Sequence, residues 1–113
     1  MSPVLIPSPA ADEFTPAIPV GAPLGMPVAN YSLAHHTAIN AEVSMGVWEC
    51  SQGTFRRQIM QAEYSYFIEG SGVFTPDQGE SIAFKAGDSI YFYPNTHGTW
   101  LINDRVRKSY VIM

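Results

Sequence analysis

From residue 40 onward, the chain alternates short runs of β-branched and aromatic residues with clusters of turn-forming residues. Such runs favour extended strands, and the glycine, proline, asparagine and aspartate clusters between them favour turns. Apolar residues in this region do not recur with the period of a helix. The pattern therefore predicts an all-β sandwich or barrel. The predicted strands are residues 42–49, 55–60, 64–68, 72–75, 81–84, 89–93, 99–102 and 105–113.

The first 27 residues contain seven of the nine prolines in the chain. Proline fixes φ, lacks an N–H donor and biases the preceding residue toward extended backbone, so this stretch cannot form a helix. Its aliphatic side chains make it too apolar for a plain solvated linker. We therefore expect an extended, Pro-rich N-terminal arm over residues 1–40, lying on the domain or on a neighbouring subunit. A barrel over residues 41–113 would follow it.

Charge and cysteine content exclude several functions. At 113 residues the chain is long enough for one domain with a single core. A net charge of -4, with six basic residues, gives no electrostatic reason to expect nucleic acid or an anionic membrane as a partner. Cys50 is the only cysteine, which rules out an intramolecular disulfide and a cysteine-based zinc site.

The chain also lacks the sequence signals of membrane insertion and secretion. No apolar run reaches the length of about 18 residues that a transmembrane helix needs. The N-terminus has no basic region before its apolar residues and is interrupted by proline, unlike a secretory signal. We therefore expect a cytoplasmic protein.

Two predicted strands carry large apolar side chains on both faces. A strand with one solvated face normally alternates apolar with polar residues, so bulk on both faces indicates that both are covered. In a domain of this size we expect the second cover to be another subunit, and the sequence therefore predicts a homodimer. The residues concerned are Tyr64, Tyr66 and Ile68 opposite Phe67, and Tyr91 and Tyr93 opposite Ile90 and Phe92.

Spaced motifs between residues 53 and 103 resemble those of the cupin superfamily. In EYSYFIEG, six residues separate Glu63 from Gly70, as in the second half of the first cupin motif, H-x-H-x4-E-x6-G. AGDSIYFYP opens like the second motif. Together with GVWECSQGTF, HGTW and VRKSYVI, these segments are more narrowly similar to the small cupins grouped with the (S)-ureidoglycine aminohydrolase cupin domain. The resemblance implies a double-stranded β-helix (jelly-roll) barrel.

The metal site that the resemblance implies does not carry over. Cupin metal ions are held by two histidines, a glutamate and a third histidine. Counting back from Glu63 puts Arg56 and Gln58 at the first two histidine positions, and Gly98, which cannot ligate, stands at the third. His97 is one residue short, and a shift of one residue on a strand turns a side chain to the other face. We therefore expect His97 at the barrel mouth or surface, and neither a metal nor another cofactor.

A carboxylate and a lysine are predicted to meet inside the barrel. On the last predicted strand, Val106, Lys108, Tyr110 and Ile112 share a face that is apolar apart from the lysine, so we expect this face to point inward. A lone buried ammonium is costly. Glu63 is the one acidic residue that the resemblance places inside, so we expect Glu63 and Lys108 to lie within hydrogen-bonding or water-bridged reach.

Small β-barrels often hold one small ligand, which suggests two functions. The first is metal-free binding of a small polar or carboxylated metabolite, because arginine at a vacated histidine position can bind a carboxylate in a bidentate manner. The alternative is a lyase, an isomerase or, as the resemblance implies, a ureidoglycine aminohydrolase-like enzyme. Glu63 would be its general acid/base, and Lys108 would tune Glu63 or bind an anion. A structural module with a packed barrel is a third reading. The candidate ligand-binding residues are Arg56, Gln58, Tyr66, Tyr93, His97 and Trp100.

Overall fold

A computed structural model describes residues 3–38 and 42–113, with the side chains of residues 35–38 left out of the description. The described part is almost entirely antiparallel β-structure, which confirms the predicted all-β class. A 3-10 helix spans Ala11–Glu13. The strands are β1 (Ile18–Pro19), β2 (Asn30–Ala38), β3 (Ser44–Cys50), β4 (Gly53–Ile59), β5 (Glu63–Pro76), β6 (Ile82–Lys85), β7 (Ser89–Phe92) and β8 (Thr96–Ile112).

The two longest strands, β5 and β8, organise the jelly roll. They pair with each other along most of their length, and the sheet runs in the order β1-β2-β3-β8-β5-β6. The first half of β8 also pairs with β4, and the first half of β5 also pairs with β7. Each long strand therefore belongs to both halves of the fold, which face each other across the core.

Each long strand joins two strands that were predicted separately. The glycine-containing segment at residues 69–72 does not end the strand but bends it within β5, where the pairing with β8 shifts register. Gly70 has a φ of +91°, and a Cβ there would collide with the backbone of Arg105. Glycine thus lets two strands approach closely where β5 bends. In a sequence, a glycine at such a bend cannot be told from a glycine in a turn, so one strand was predicted as two.

The structure also adds two strands that the sequence prediction did not contain, the two-residue β1 and the longer β2. Residues 30–38, within the predicted arm, form β2 and pair with β3, with Leu33 opposite Trp48. Before β2, residues 3–29 are mostly irregular and lie on their own chain through backbone hydrogen bonds such as Val20 to Ala29 and Leu24 to Thr54. The division into an arm over residues 1–40 and a barrel over residues 41–113 stays a prediction.

The core consists of the inward-facing side chains of both halves. Trp100, 2% exposed, is at its centre, and its ring contacts four phenylalanine rings at centroid distances of 4.9 to 6.3 Å. Edge and tilted ring contacts of this kind add to the free energy gained by burial. The four rings are those of Phe67, Phe74, Phe84 and Phe92.

The outer faces of β5 and β7 carry the aromatic residues that the sequence placed there. Phe67 and Phe92 are buried, whereas Tyr64, Tyr66 and Tyr91 are between 42% and 48% exposed.

The helix of the described residues is three residues long, so no helix among them could span a bilayer.

Candidate functional site

A cavity of about 520 Å³ opens between β2, β3, β4, the second half of β8 and the segment before β2. Its polar wall contains Arg57, Glu63 and Lys108. The cavity also has an apolar wall, most of whose residues are only partly buried, so ring and aliphatic surface faces the cavity. The apolar wall includes Val20, Tyr31, Leu33, Trp48 and Ile112.

The predicted contact between Glu63 and Lys108 is confirmed. Lys108 Nζ donates to Glu63 Oε2 at 2.7 Å, and Ser65 Oγ donates to the same oxygen at 2.8 Å. Both charged residues are buried, 9% and 5% exposed. They meet because β5 and β8 present alternate residues inward, which buries Ser65, Phe67 and Val106 on the same faces.

Aromatic rings surround the rest of the Lys108 ammonium. Its Nζ atom lies 4.9 Å from the ring centroid of Trp48, 5.1 Å from that of Trp100 and 5.7 Å from that of Phe92. The negative faces of aromatic rings attract a cation. The rings and the Glu63 carboxylate together hold this buried charge in place.

Burial and pairing oppose each other in the titration of Glu63. Burial raises the pKa of its carboxyl group, but the Lys108 charge, hydrogen bonds from Lys108 and Ser65, and the Arg57 charge lower it below the ordinary value. Glu63 is therefore a carboxylate at neutral pH. For Lys108, burial is the larger effect and lowers the pKa of the ammonium, while Glu63 acts in the opposite direction.

Strand β4 presents Arg57, not Arg56, to the interior. Phe55 and Ile59 are buried on its inner face, so alternation puts Arg57 on that face and turns Arg56 and Gln58 away. Residues 56 and 58, which the count from Glu63 placed at inward positions, therefore lie one residue from the inner face, although both still line the cavity as predicted.

The outward Arg56 is held by a carboxylate on the surface. Its Nη1 and Nη2 atoms donate to the two oxygens of Asp77 at 2.6 and 2.7 Å, and Nη1 also donates to Thr99. This bidentate pair is well exposed, with side-chain exposures of 40% and 45%. Its guanidinium is thus already occupied and is not directed at a ligand in the cavity.

Arg57 differs from every other basic residue in the described part of the chain. The sequence has six lysines and arginines, and five of them form ion pairs. Arg57 forms no ion pair or hydrogen bond there, although it lines the cavity and its charge acts on both Glu63 and Lys108. The five pairs are Arg56–Asp77, Lys85–Asp88, Arg105–Glu49, Arg107–Glu49 and Lys108–Glu63.

Of the remaining predicted ligand-binding residues, one lines the cavity and three lie elsewhere. Trp100 lines the cavity but is mainly a core residue. Tyr66 lies on the outer face of β5, beside a groove of about 440 Å³ under residues 6–9. Tyr93 is 72% exposed, with its ring edge against Tyr91. His97 is exposed, in agreement with its expected position at the surface.

The residues at the cupin metal position do not fit a metal ion. Gly98 faces inward opposite Arg57, and a Cβ at Gly98 would collide with the Phe74 ring, so the fold leaves no room for a third histidine. The Glu63 carboxylate is already bound to Lys108. Within the part of the chain that the structure describes, no three His, Cys, Asp or Glu side chains come together as ligands.

Cys50 is not a candidate nucleophile. It is 1% exposed, and burial raises the pKa of its thiol to about 12. The thiol therefore stays protonated at neutral pH and packs as a small apolar side chain.

The cavity residues that were absent from the predicted site include Arg57, Tyr31 and Trp48. For Arg57 a signal was present, because Phe55 and Ile59 flank it at a spacing of two residues and mark its face as the inner one. Tyr31 and Trp48 reach the cavity through the pairing of β2 with β3, which the sequence pattern did not indicate.

The jelly roll, with a ligand-sized cavity in one end and an inward glutamate on β5, defines a cupin. The chain belongs to the family of EutQ-like cupin domains, whose profile matches residues 39–110. The fold is similar to that of the EutQ protein of Clostridium difficile, with a TM-score of 0.66 and 19% identity over 80% of this chain and 75% of that one.

Two DUF861 family proteins are also similar. For the protein of Thermotoga maritima the TM-score is 0.58 and the identity 25%, over 59% of this chain and 76% of that one. For the protein of Pseudomonas syringae pv. tomato, which is of unknown function, the TM-score is 0.74 and the identity 21%, over 88% of this chain and 44% of that one. No curated protein matches the chain. These similarities support the fold and carry no ligand or reaction to this chain.

Proposed function

We propose that the protein binds a small anionic metabolite in the cavity without using a metal ion. The observation that carries the proposal is the cationic Arg57 side chain at the cavity, which has no acidic partner among the described residues. A guanidinium that retains all of its donors can bind a carboxylate through two parallel hydrogen bonds. A cavity of about 520 Å³ lies in the range of small-molecule sites.

Lys108 contributes less to the charge of the site than its position suggests. Because Glu63 neutralises it, the pair adds only a dipole and leaves Arg57 as the net charge of the polar wall. The pair also resists replacement by a metal, since an ion bound by Glu63 would have to displace the ammonium.

The test is ligand-induced thermal stabilisation with a fixed panel of acetate, pyruvate, lactate, malate, citrate, benzoate and phosphate. We expect at least one anion to raise the Tm of the wild type in a concentration-dependent manner, and Arg57→Gln to abolish the shift. Arg105→Gln is the matched control, because it removes the same charge from an exposed position that does not line the cavity. A panel without effect on the wild type, or an equal loss in both variants, would overturn the proposal.

An enzymatic function is the second candidate. It would be a lyase, an isomerase or a ureidoglycine aminohydrolase-like activity with Glu63 as the acid/base. The observation that favours it is that both hydrogen bonds to the Glu63 carboxylate reach Oε2, while Oε1 accepts none from the described residues. An ionised carboxylate with one free oxygen at a cavity can accept a proton from a bound substrate. Ammonia release from (S)-ureidoglycine that is lost in Glu63→Gln would support this candidate, and a wild type without turnover would not.

We also propose a homodimer in the cytoplasm. The support is the outer face of β5 and β7, where Tyr64, Tyr66, Ile68, Tyr91 and Tyr93 are each at least 42% exposed. A second copy of this chain is the occupant we propose, because a contiguous apolar patch of this kind on a small domain is typical of an interface.

A further inference from the structure

We infer that the ligand is an amphipathic monocarboxylate, with one carboxylate that pairs with Arg57 and a flat or branched apolar body that lies against Trp48 and Tyr31. This inference rests on the proposed function and names the class of ligand. It follows from the balance of charge in the cavity and from the chemistry of the apolar wall.

Charge balance limits the ligand to one negative charge. Of the ionisable side chains that line the cavity, Lys108 is paired with Glu63 and Arg56 with Asp77, so Arg57 is the one cation left for a ligand among the described residues. A dianion would bring a second carboxylate into the cavity without a counter-charge, next to the Glu63 carboxylate. An unpaired charge removed from water costs more than binding returns.

The apolar wall determines the remainder of the ligand. Tyr31, Leu33, Trp48 and Ile112 line the cavity and are only half-buried, whereas the core residues behind them are almost completely buried. Tyr31 and Trp48 pack against the core with one side and leave the other side facing the cavity. Covering such apolar surface with a ring or a branched chain stabilises the complex, whereas a fully hydrated polyol would add no such stabilisation.

The polar and apolar walls also orient the ligand. Arg57 is exposed at the mouth of the cavity, while Glu63 and Lys108 are buried at its floor. A carboxylate at the mouth keeps part of its hydration while it pairs with Arg57. The apolar body then extends inward past Trp48, whose ring already contacts the Lys108 ammonium.

The experiment is isothermal titration with four probes at neutral pH: phenylacetate, its neutral isostere phenylacetamide, acetate and the dianion phenylmalonate. We expect phenylacetate to bind tightest and each of the other three to bind about tenfold or more weakly, since a charge-assisted hydrogen bond or a buried ring each supports a factor of this size. In Arg57→Gln, phenylacetate should lose its advantage over phenylacetamide. Arg105→Gln, at a position that does not line the cavity, should keep it.

Each outcome decides a separate point. Equal affinity of phenylacetate and phenylacetamide for the wild type would overturn the single-charge requirement. Acetate as tight as phenylacetate would overturn the apolar body, and phenylmalonate as tight as phenylacetate would overturn the charge limit. If no probe binds while an anion of the thermal panel still stabilises the wild type but not Arg57→Gln, the ligand class is wrong and the proposed function stands. Unchanged unfolding of Arg57→Gln in urea shows that the variant is folded.

Discussion

Arg56 and Arg57 are neighbours in the chain, but their side chains lie on opposite faces of β4 and have opposite electrostatic surroundings. Arg56 is clamped by both oxygens of Asp77 at the surface, and Arg57 lines the cavity without an acidic partner among the described residues. The difference follows from strand alternation, because Phe55 and Ile59 are buried and fix the inner face. Arg56 thus forms a surface ion pair, while Arg57, with the same charge, belongs to the candidate site.

Breaking the buried ion pair should destabilise the protein strongly. Lys108→Met leaves the Glu63 carboxylate buried without a counter-charge, and we expect a loss of about 3 kcal/mol or more in the free energy of unfolding. The double variant Glu63→Gln/Lys108→Met removes both charges and should recover part of that loss. Urea unfolding followed by tryptophan fluorescence measures both. A double variant less stable than Lys108→Met would contradict this account.

The same pair predicts an acid-dependent loss of stability. The pKa of Glu63 in the folded protein lies below its ordinary value of 4.5, so the unfolded chain binds a proton more readily. The stabilisation from Glu63 is therefore fully present above about pH 4.5 and is lost as pH falls through the folded pKa. We expect the difference in urea midpoint between wild type and Glu63→Gln to shrink below pH 4.5. A difference that is constant from pH 7 to pH 3 would exclude a lowered pKa.

Position 98 should not accept even a small side chain. In Gly98→Ala the new Cβ would meet the Phe74 ring and the Thr75 carbonyl oxygen, and overpacking of this kind costs about 1–3 kcal/mol. Gly21→Ala is the matched control, since a Cβ there meets nothing within 4 Å and should change stability by less than about 0.5 kcal/mol. Equal unfolding midpoints for the two variants would contradict the predicted clash and show that the side chains between β5 and β8 can rearrange around a methyl group.

The protein as purified should contain no stoichiometric metal. The inner position opposite Arg57 is a glycine, and the glutamate of the site is occupied by Lys108. Elemental analysis after tag removal should show Mn, Fe, Ni and Zn far below one ion per chain, and a chelator should leave the Tm unchanged. Near-stoichiometric metal, lost in Glu63→Gln, would contradict this expectation.

Self-association should depend on the outer aromatic face. We expect light scattering at micromolar concentration to give the mass of a dimer, and Tyr91→Asp to shift it toward the monomer, because a charge would be desolvated in the interface. His97→Asp, at an exposed position outside that tyrosine cluster, serves as the control. A monomeric wild type would end the dimer proposal. Dissociation in both variants alike would place the interface elsewhere.

The sequence determined the fold class and the buried pair. Short β-rich runs between turn clusters exclude a helical core, and a period of two along residues 63–67 and 106–112 determines which side chains share a face. Alternation with Val106 puts Lys108 on the inner face of the last strand, and the resemblance to the cupin motif puts Glu63 inside as well, so two opposite buried charges were expected to meet, as they do. Alternation within a strand is a local property of the chain, and the motif spacing that carries the resemblance can likewise be counted along the sequence.

The tertiary structure decided what depends on contacts between strands. Counting from Glu63 back to β4 passes through residues 60–62, where the chain turns and alternation is interrupted, so the count assigned Arg56 to the interior in place of Arg57. The inner face of β4 is fixed by its pairing with β8, which sets Arg57 opposite Gly98 and Phe55 opposite Trp100. A one-residue difference in the turn reverses every side chain of the strand, and long-range pairing, not local pattern, determines that difference.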